Sequence, residues 1–262
     1  MPIFNTGEIN LYYESVGEGD CLLLLHGLGS STRDWEYQIP DFCKHYRVLT
    51  VDTRGHGHSD KTGTPYSITQ FANDIALLLE DLNVAAAHVV GLSMGGMIAF
   101  QLALDQPKRV KSLVIVNSSP EVVARTLKEK FGVWQRFAIL RFMGMRKMGE
   151  VLAPRLFVKE EQAATRELFI ERWAENDKQA YTAALRALVG WSVLDRIREI
   201  KVPVLVVAAD EDYTPVSSKE AYVKKMPNAQ LLVIEDSRHA TPIEHPEVFN
   251  TAVLQFLAQV RV

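Results

Sequence analysis

Cysteine is scarce in this chain: Cys21 and Cys43 are the only two among 262 residues. Two thiols do not make a disulfide framework, so both are read as free. Long apolar runs are missing as well. The longest, Val202 to Ala209, is too short to span a bilayer and contains Pro203. The opening residues Met1 to Thr6 have neither the basic start nor the apolar stretch of a signal peptide, so a cytoplasmic location is expected and a membrane partner is not. Neither sign of charge dominates: 29 Lys and Arg face 32 Asp and Glu, a net charge of −3. That balance leaves no electrostatic footprint for nucleic acid and points to a small neutral or weakly charged partner. No histidine pair has metal-ligand spacing, so neither metal nor cofactor is expected. Internal repeats and low-complexity segments are absent too.

What is present is an alternation of short apolar runs and helical patterns. The runs Leu22 to Leu25, Val48 to Val51, His88 to Val90, Leu113 to Val116, Val204 to Ala208 and Leu231 to Ile234 read as strands buried on both faces. Between them, Ile68, Phe71, Ile75, Leu78, Leu79 and Leu82 repeat at helical spacing behind a capping Ser67, and Met94 to Leu104 forms a second helix. Such alternation requires crossovers, which predicts an α/β fold: a mostly parallel twisted sheet flanked by helices, with ligands at the carboxyl ends of the strands. Ile9 to Val16, ending at Gly17-Glu18-Gly19, is expected to form an antiparallel hairpin with the run that follows. The alternation stops between about Pro120 and Ser192, where the sequence turns helical. The expected organisation is therefore a core of residues 1–119 and 193–262 interrupted by a helical cap insertion, 120–192.

The chemistry is expected at Gly91-Leu92-Ser93-Met94-Gly95-Gly96, between a short strand and a helix. Gly, any, Ser, any, Gly arises by chance about once in ten chains of this length at ordinary glycine and serine frequencies, so the context carries the argument. A nucleophile in a tight strand-to-helix turn sits in strained backbone and needs small flanking residues, which Gly91 and Gly95 supply. The turn also puts Ser93 at a helix N-terminus, where the Met94 N–H is the natural first donor to a developing oxyanion. The second donor is assigned to the Leu28 N–H in His26-Gly27-Leu28-Gly29, with His26 orienting that loop. A serine hydroxyl needs a base. Of seven histidines, His239 is preferred because it follows a late strand, with His245 the alternative, while His56 and His58 sit in a turn. The carboxylate that fixes the base is Asp212 by preference, with Asp210 the alternative and Glu211 the third acid in the same loop.

On these residues the sequence resembles the α/β-hydrolase superfamily, over nearly the whole chain outside the insertion. Asp52-Thr53-Arg54-Gly55-His56-Gly57-His58-Ser59 is similar to a loop common there, whose role is mainly structural. The stretches Asp52 to Asp60 and Gly91 to Gly96 look most like 3-oxoadipate enol-lactonases and small carboxylesterases. Two departures stand out: Ala209 and Ser237 occupy positions where that superfamily often has glycine. Haloalkane dehalogenases and epoxide hydrolases of this type carry aspartate at the elbow and dienelactone hydrolases cysteine, so the serine directs the reading to acyl transfer to water.

The resemblance implies a carboxylic ester hydrolase for small, fairly apolar esters. Enol-lactone or carbon–carbon bond hydrolysis on the same triad is the alternative, and a slow-turnover ligand receptor the rival from another class. Within the insertion, Trp134, Phe137, Leu140 and Met143 are the expected substrate contacts, though the same apolar set serves equally as the insertion's own core. Carboxylate-bearing substrates would need a positioned cation. Arg125, Lys128, Arg136 and Arg141 are the candidates, with solvated surface the expectation for each.

Overall fold

A computed structural model describes residues 2–260; Met1 and residues 261–262, at the ends of the expected core segments, lie outside the described residues. The strands are β1 (Ile3–Asn5), β2 (Asn10–Val16), β3 (Cys21–Leu25), β4 (Arg47–Val51), β5 (Ala87–Leu92), β6 (Val110–Val116), β7 (Val204–Ala209) and β8 (Ala229–Ile234). They form one sheet in the order β1-β2-β4-β3-β5-β6-β7-β8, in which β2 is antiparallel to β1 and β4 and every pair from β4 through β8 is parallel. The helices are α1 (Ile39–Phe42), α2 (Ile68–Asp81), α3 (Met94–Asp105), α4 (Leu127–Leu156), α5 (Ala163–Ala174), α6 (Lys178–Leu188), α7 (Val216–Val223), α8 (Thr241–Glu244) and α9 (Pro246–Gln259).

The period-2 geometry of a strand splits β3 between two cores, because both faces of the sheet are covered. Leu23 and Leu25 pack with Ile75 and Leu78 of α2 and with the buried face of α3. Leu22 and Leu24 pack with Trp35, Phe42 and, on α9, Phe249 and Val253. All four leucines are fully buried, each worth roughly 1.5–3 kcal/mol of transfer free energy. The α2 helix starts where Ser67 predicts: the Ser67 Oγ accepts from the Gln70 N–H at 3.1 Å.

Two expectations about the sheet are corrected. The hairpin expected between β2 and the following strand does not form, because β4 lies between them. Gly17, at φ +83°, packs against the residues leading into β4, where a Cβ would stand 2.4 Å from the Tyr46 carbonyl oxygen. That turn thus carries the chain past β4. The second correction is β8, which lies at the sheet edge and is only partly buried. Its apolar run looked like that of an internal strand because composition does not encode position in the sheet.

Between β6 and β7 the chain is helical, comprising α4, α5 and α6. It leaves and returns through adjacent strands: Glu121 bridges Ser192, and the Val122 and Gly190 N–H groups donate to the Trp191 and Val122 carbonyls, each at 2.8 Å. A capping box of Thr126 and Glu129 starts α4, and Gly144, at φ +82°, breaks it in two.

Candidate active site

The loops at the carboxyl ends of β3, β5, β6, β7 and β8 meet around a cavity of about 590 Å³, of a size for a small molecule. Ser93, Leu28, Gly27, Asn117 and His239 all line it, beneath α4, α5 and α6. Ser93 follows the last residue of β5 and opens α3 with φ 53° and ψ −112°, a left-handed conformation that costs a non-glycine residue roughly 1–3 kcal/mol. Its neighbours hold it there. The Ser93 N–H donates to the Val116 carbonyl at 2.9 Å, and its own carbonyl accepts from the Ser118 hydroxyl at 2.7 Å. The flanking glycines are sterically required: a Cβ on Gly91 would lie 2.4 Å from the Gly95 backbone, and one on Gly95 would lie 2.1 Å from the Leu25 carbonyl oxygen. Among the described residues, neither the Leu28 nor the Met94 N–H has an acceptor in the protein. Leu28 lines the cavity, and Met94 is the buried first residue of α3.

His26 is fully buried, and its Nδ1–H donates to the Gly27 carbonyl at 2.7 Å while its Nε2 accepts from the Thr53 N–H at 3.0 Å. Burial pushes its pKa down to about 4, so the ring is a neutral strut between two loops. The Asp52 loop is equally internal: the Asp52 carboxylate accepts from the Thr32 and His58 N–H groups, each at 2.7 Å. His56 is buried within that loop, and the His245 Nε2 donates to the Asp236 carbonyl at 2.9 Å.

Beyond β7 and β8, Asp212 and His239 meet. The Asp212 side chain is 0% exposed, and its Oδ1 accepts from the His239 Nδ1–H at 2.8 Å. Asp210 points outward and accepts from the Ser237 N–H at 3.1 Å. The other oxygen of Asp212 accepts from Lys219 Nζ at 2.8 Å and from the Thr214 hydroxyl. Burial alone would raise the Asp212 pKa. The hydrogen bond and charge of His239, with Lys219, outweigh that and bring it down to about 2. An ionised carboxylate only accepts, so His239 carries its proton on Nδ1 and leaves Nε2 as an acceptor. That acceptor faces the Tyr213 hydroxyl at 2.6 Å, with the rings 4.2 Å apart. Tyr213 lines the same cavity as Ser93 and His239. The residue as a whole is 64% exposed. Desolvation and the nearby Asp212 charge push the phenol pKa up, which keeps it protonated.

A family model of the α/β-hydrolase fold matches residues 20–147. The chain is 31% identical to the pimeloyl-[acyl-carrier protein] methyl ester esterase of Aeromonas hydrophila, over 93% of this chain and 98% of that one. The chain belongs to the α/β-hydrolase superfamily. It is also 29% identical to 3-oxoadipate enol-lactonase 2 of Acinetobacter baylyi, over 97% of each chain. The enol-lactonase structure from Burkholderia xenovorans superimposes with a TM-score of 0.92 at 26% identity, covering 98% of this chain and all of that one.

In this α/β hydrolase several site residues escape a sequence reading. Asn117, at φ +43° after β6, accepts through Oδ1 from the Ala209 N–H at 2.8 Å and donates through Nδ2 to the His239 carbonyl at 3.0 Å and the Thr241 hydroxyl at 2.8 Å. It ties the loop bearing Asp212 to the loop bearing His239. Ala209 supplies one end of that clamp, while the buried Ser237 hydroxyl bonds Thr241 at 3.0 Å, so neither departure from glycine disrupts the loops. Nothing in the linear sequence marks Asn117 or Lys219.

The expected substrate contacts are corrected. None of Trp134, Phe137, Leu140 and Met143 lines this cavity. Trp134 and Met143 are 62% and 63% exposed, and Phe137 and Leu140 line a separate groove beside Pro65 and Tyr66. The α4 face over Ser93 is instead Glu129, Gly132, Val133 and Arg136. The helical period was legible; its phase was off by about one residue, or 100° of rotation.

Proposed function

We propose that the chain is a serine hydrolase that cleaves small carboxylic esters through an acyl-enzyme. The observation that carries this reading is the 2.8 Å contact from His239 to a buried Asp212, in the same cavity as a serine held in strained backbone. Ser93 is the nucleophile, His239 the base, Asp212 the residue that fixes its tautomer, and the Leu28 and Met94 amides the oxyanion donors. Before Oγ can give its proton to Nε2, the Tyr213 hydroxyl must leave that nitrogen. Tyr213 is 64% exposed, so its side chain turns outward towards solvent, giving up its ring contact and hydrogen bond with His239.

Oγ then bonds to the carbonyl carbon as His239 takes the serine proton. The oxyanion rests on the two amides, the carbon–oxygen bond to the alcohol breaks, and His239 protonates the departing oxygen. Water repeats the cycle on the acyl-enzyme, giving the acid and restoring Ser93. Residues 120–192 act as a cap that excludes bulk water and shapes the acyl pocket, and the enzyme works in the cytoplasm. The similarity to enol-lactonases favours a second reading, in which the scissile bond belongs to an enol lactone and the same residues do the same work.

The test is covalent. A fluorophosphonate should label wild type at Ser93 in peptide mass spectra and leave Ser93→Ala unlabelled. Hydrolysis of p-nitrophenyl butyrate should vanish in the same variant. Labelling at any other residue overturns the assignment.

A further inference from the structure

Among the described residues, Arg136 sits over the cavity without a counter-ion. Arg136 lines the cavity from α4 and is largely withdrawn from solvent, and among the described residues no carboxylate forms an ion pair with it. Among the described residues its only hydrogen bond is from Nη2 to the neutral Tyr181 hydroxyl at 3.4 Å, and its buried Nε–H has no acceptor there. A second donor lies in the same cavity: Trp173 is 6% exposed, and among the described residues its indole N–H has no partner. Trp173 and Tyr181 pack edge to face with ring centroids 5.5 Å apart, so Tyr181 adjoins both residues. Buried donors are expensive to leave unmade, and a guanidinium more so than a neutral group.

The other candidate cations are accounted for elsewhere. Arg125 pairs with Glu121 on the surface, Lys128 is exposed, and Arg141 lines the separate groove. The acids around this cavity do not supply the missing partner. Glu121 faces Arg125 and Glu129 accepts from the Thr126 and Arg125 N–H groups. Asp34 lies on the Leu28 side, where the positive charges beside it are those of Arg33 and Arg172, and among the described residues it forms no ion pair with Arg136. Most of the remaining wall is apolar, including Val133, Leu152, Leu156 and Leu188.

We propose that Arg136, with the Trp173 indole N–H as a second donor, is a carboxylate subsite, so that the substrate is an otherwise apolar ester or lactone bearing one carboxylate away from its scissile bond. The assignment rests on Ser93 being the nucleophile. A planar carboxylate can take two parallel N–H donors from the guanidinium edge, which fixes the direction in which the substrate lies across Ser93. The apolar wall then packs the linking carbons, and the charge selects against plain alkyl esters.

Two matched substrate series test this. Mono-p-nitrophenyl succinate, glutarate and adipate carry the charge on the acyl side; the O-acetyl esters of 3-hydroxypropanoate and 4-hydroxybutanoate carry it on the alcohol side. Each is compared with its neutral methyl ester. In at least one series, kcat/KM should favour the anion by roughly 10- to 100-fold, the range for a hydrogen bond to a charged group. Arg136→Met should collapse that ratio, Arg136→Lys should retain part of it, and Arg125→Met should leave it alone. A wild type that shows no preference for the anion at any length, or a preference that survives Arg136→Met, overturns the subsite. Ser93→Ala separates the two layers. Hydrolysis that persists in that variant sinks the underlying reading, whereas Ser93-dependent hydrolysis blind to the charge sinks only the arginine assignment.

Discussion

Lys219 gives the sharpest test of how the acid is held. Its ammonium lies 2.8 Å from Asp212 Oδ2 with side chains 1% and 0% exposed, so neither charge has water to fall back on. At an effective dielectric of about 20, two unit charges 2.8 Å apart attract by roughly 6 kcal/mol, most of which offsets their desolvation. Removing one partner strands the other, and Lys219→Met should cost about 3–5 kcal/mol. At roughly 2–4 °C per kcal/mol for a chain of this size, Tm should fall by about 6–20 °C. Asp212→Asn should destabilise by a similar amount for the mirror-image reason. The double variant removes both charges and should recover about 3 kcal/mol of the summed loss. The assay is a double-mutant cycle by urea denaturation followed with circular dichroism. Additivity within about 0.5 kcal/mol would refute the claim that the two charges sustain each other.

The same carboxylate predicts an acid limb. Its pKa is depressed from 3.8 to about 2, so folding gains stability from it above pH 3.8 and loses that stability as pH falls towards 2. A shift of this size is worth about 2 kcal/mol, to be read as a Tm decline between pH 4 and 2 that becomes shallower in Lys219→Met. If Asp212 rather than Asp210 orients the base, Asp212→Asn should lower kcat by roughly 10⁴, by analogy with the serine protease triad, and Asp210→Asn by far less; steady-state kinetics decide, and a larger loss from Asp210→Asn reverses the assignment. Tyr213→Phe removes a hydroxyl that competes for His239 Nε2, so the p-nitrophenyl acetate burst should quicken by roughly 2- to 10-fold, the worth of one neutral hydrogen bond. A burst slowed more than tenfold would instead make the phenol a proton relay. Gly95→Ala sets a Cβ 2.1 Å from backbone and should cost at least about 3 kcal/mol, whereas Gly132→Ala, with open space around it, should raise stability by up to about 1 kcal/mol in thermal melts.

The elbow was legible because its requirements are local. Strand, tight turn and helix N-terminus fall within a few residues, and the glycines that the backbone demands stand in the same stretch. The two-faced burial of β3 and the cap at Ser67 were legible for the same reason. The β2 connection was not, because pairing depends on which strand slides in between, and β4 comes 31 residues after the end of β2. Nor was the face of α4: a helix shows its period in the sequence, but which side meets the core depends on how α5 and α6 pack beside it.

The sequence by itself determined an alternating α/β chain, a serine in a strained turn, and an acid and a histidine each placed after a late strand. Only the tertiary structure decided that Asp212 turns inward and Asp210 outward, that Asn117 and Lys219 hold the loops bearing Asp212 and His239, that Tyr213 stands at the imidazole, and that Arg136 faces the cavity with no ion-pair partner among the described residues. The division has a physical cause. Backbone strain and burial period are written into neighbouring residues, whereas the partner of a buried polar group is whatever the packed fold brings within about 3 Å, across any distance along the chain.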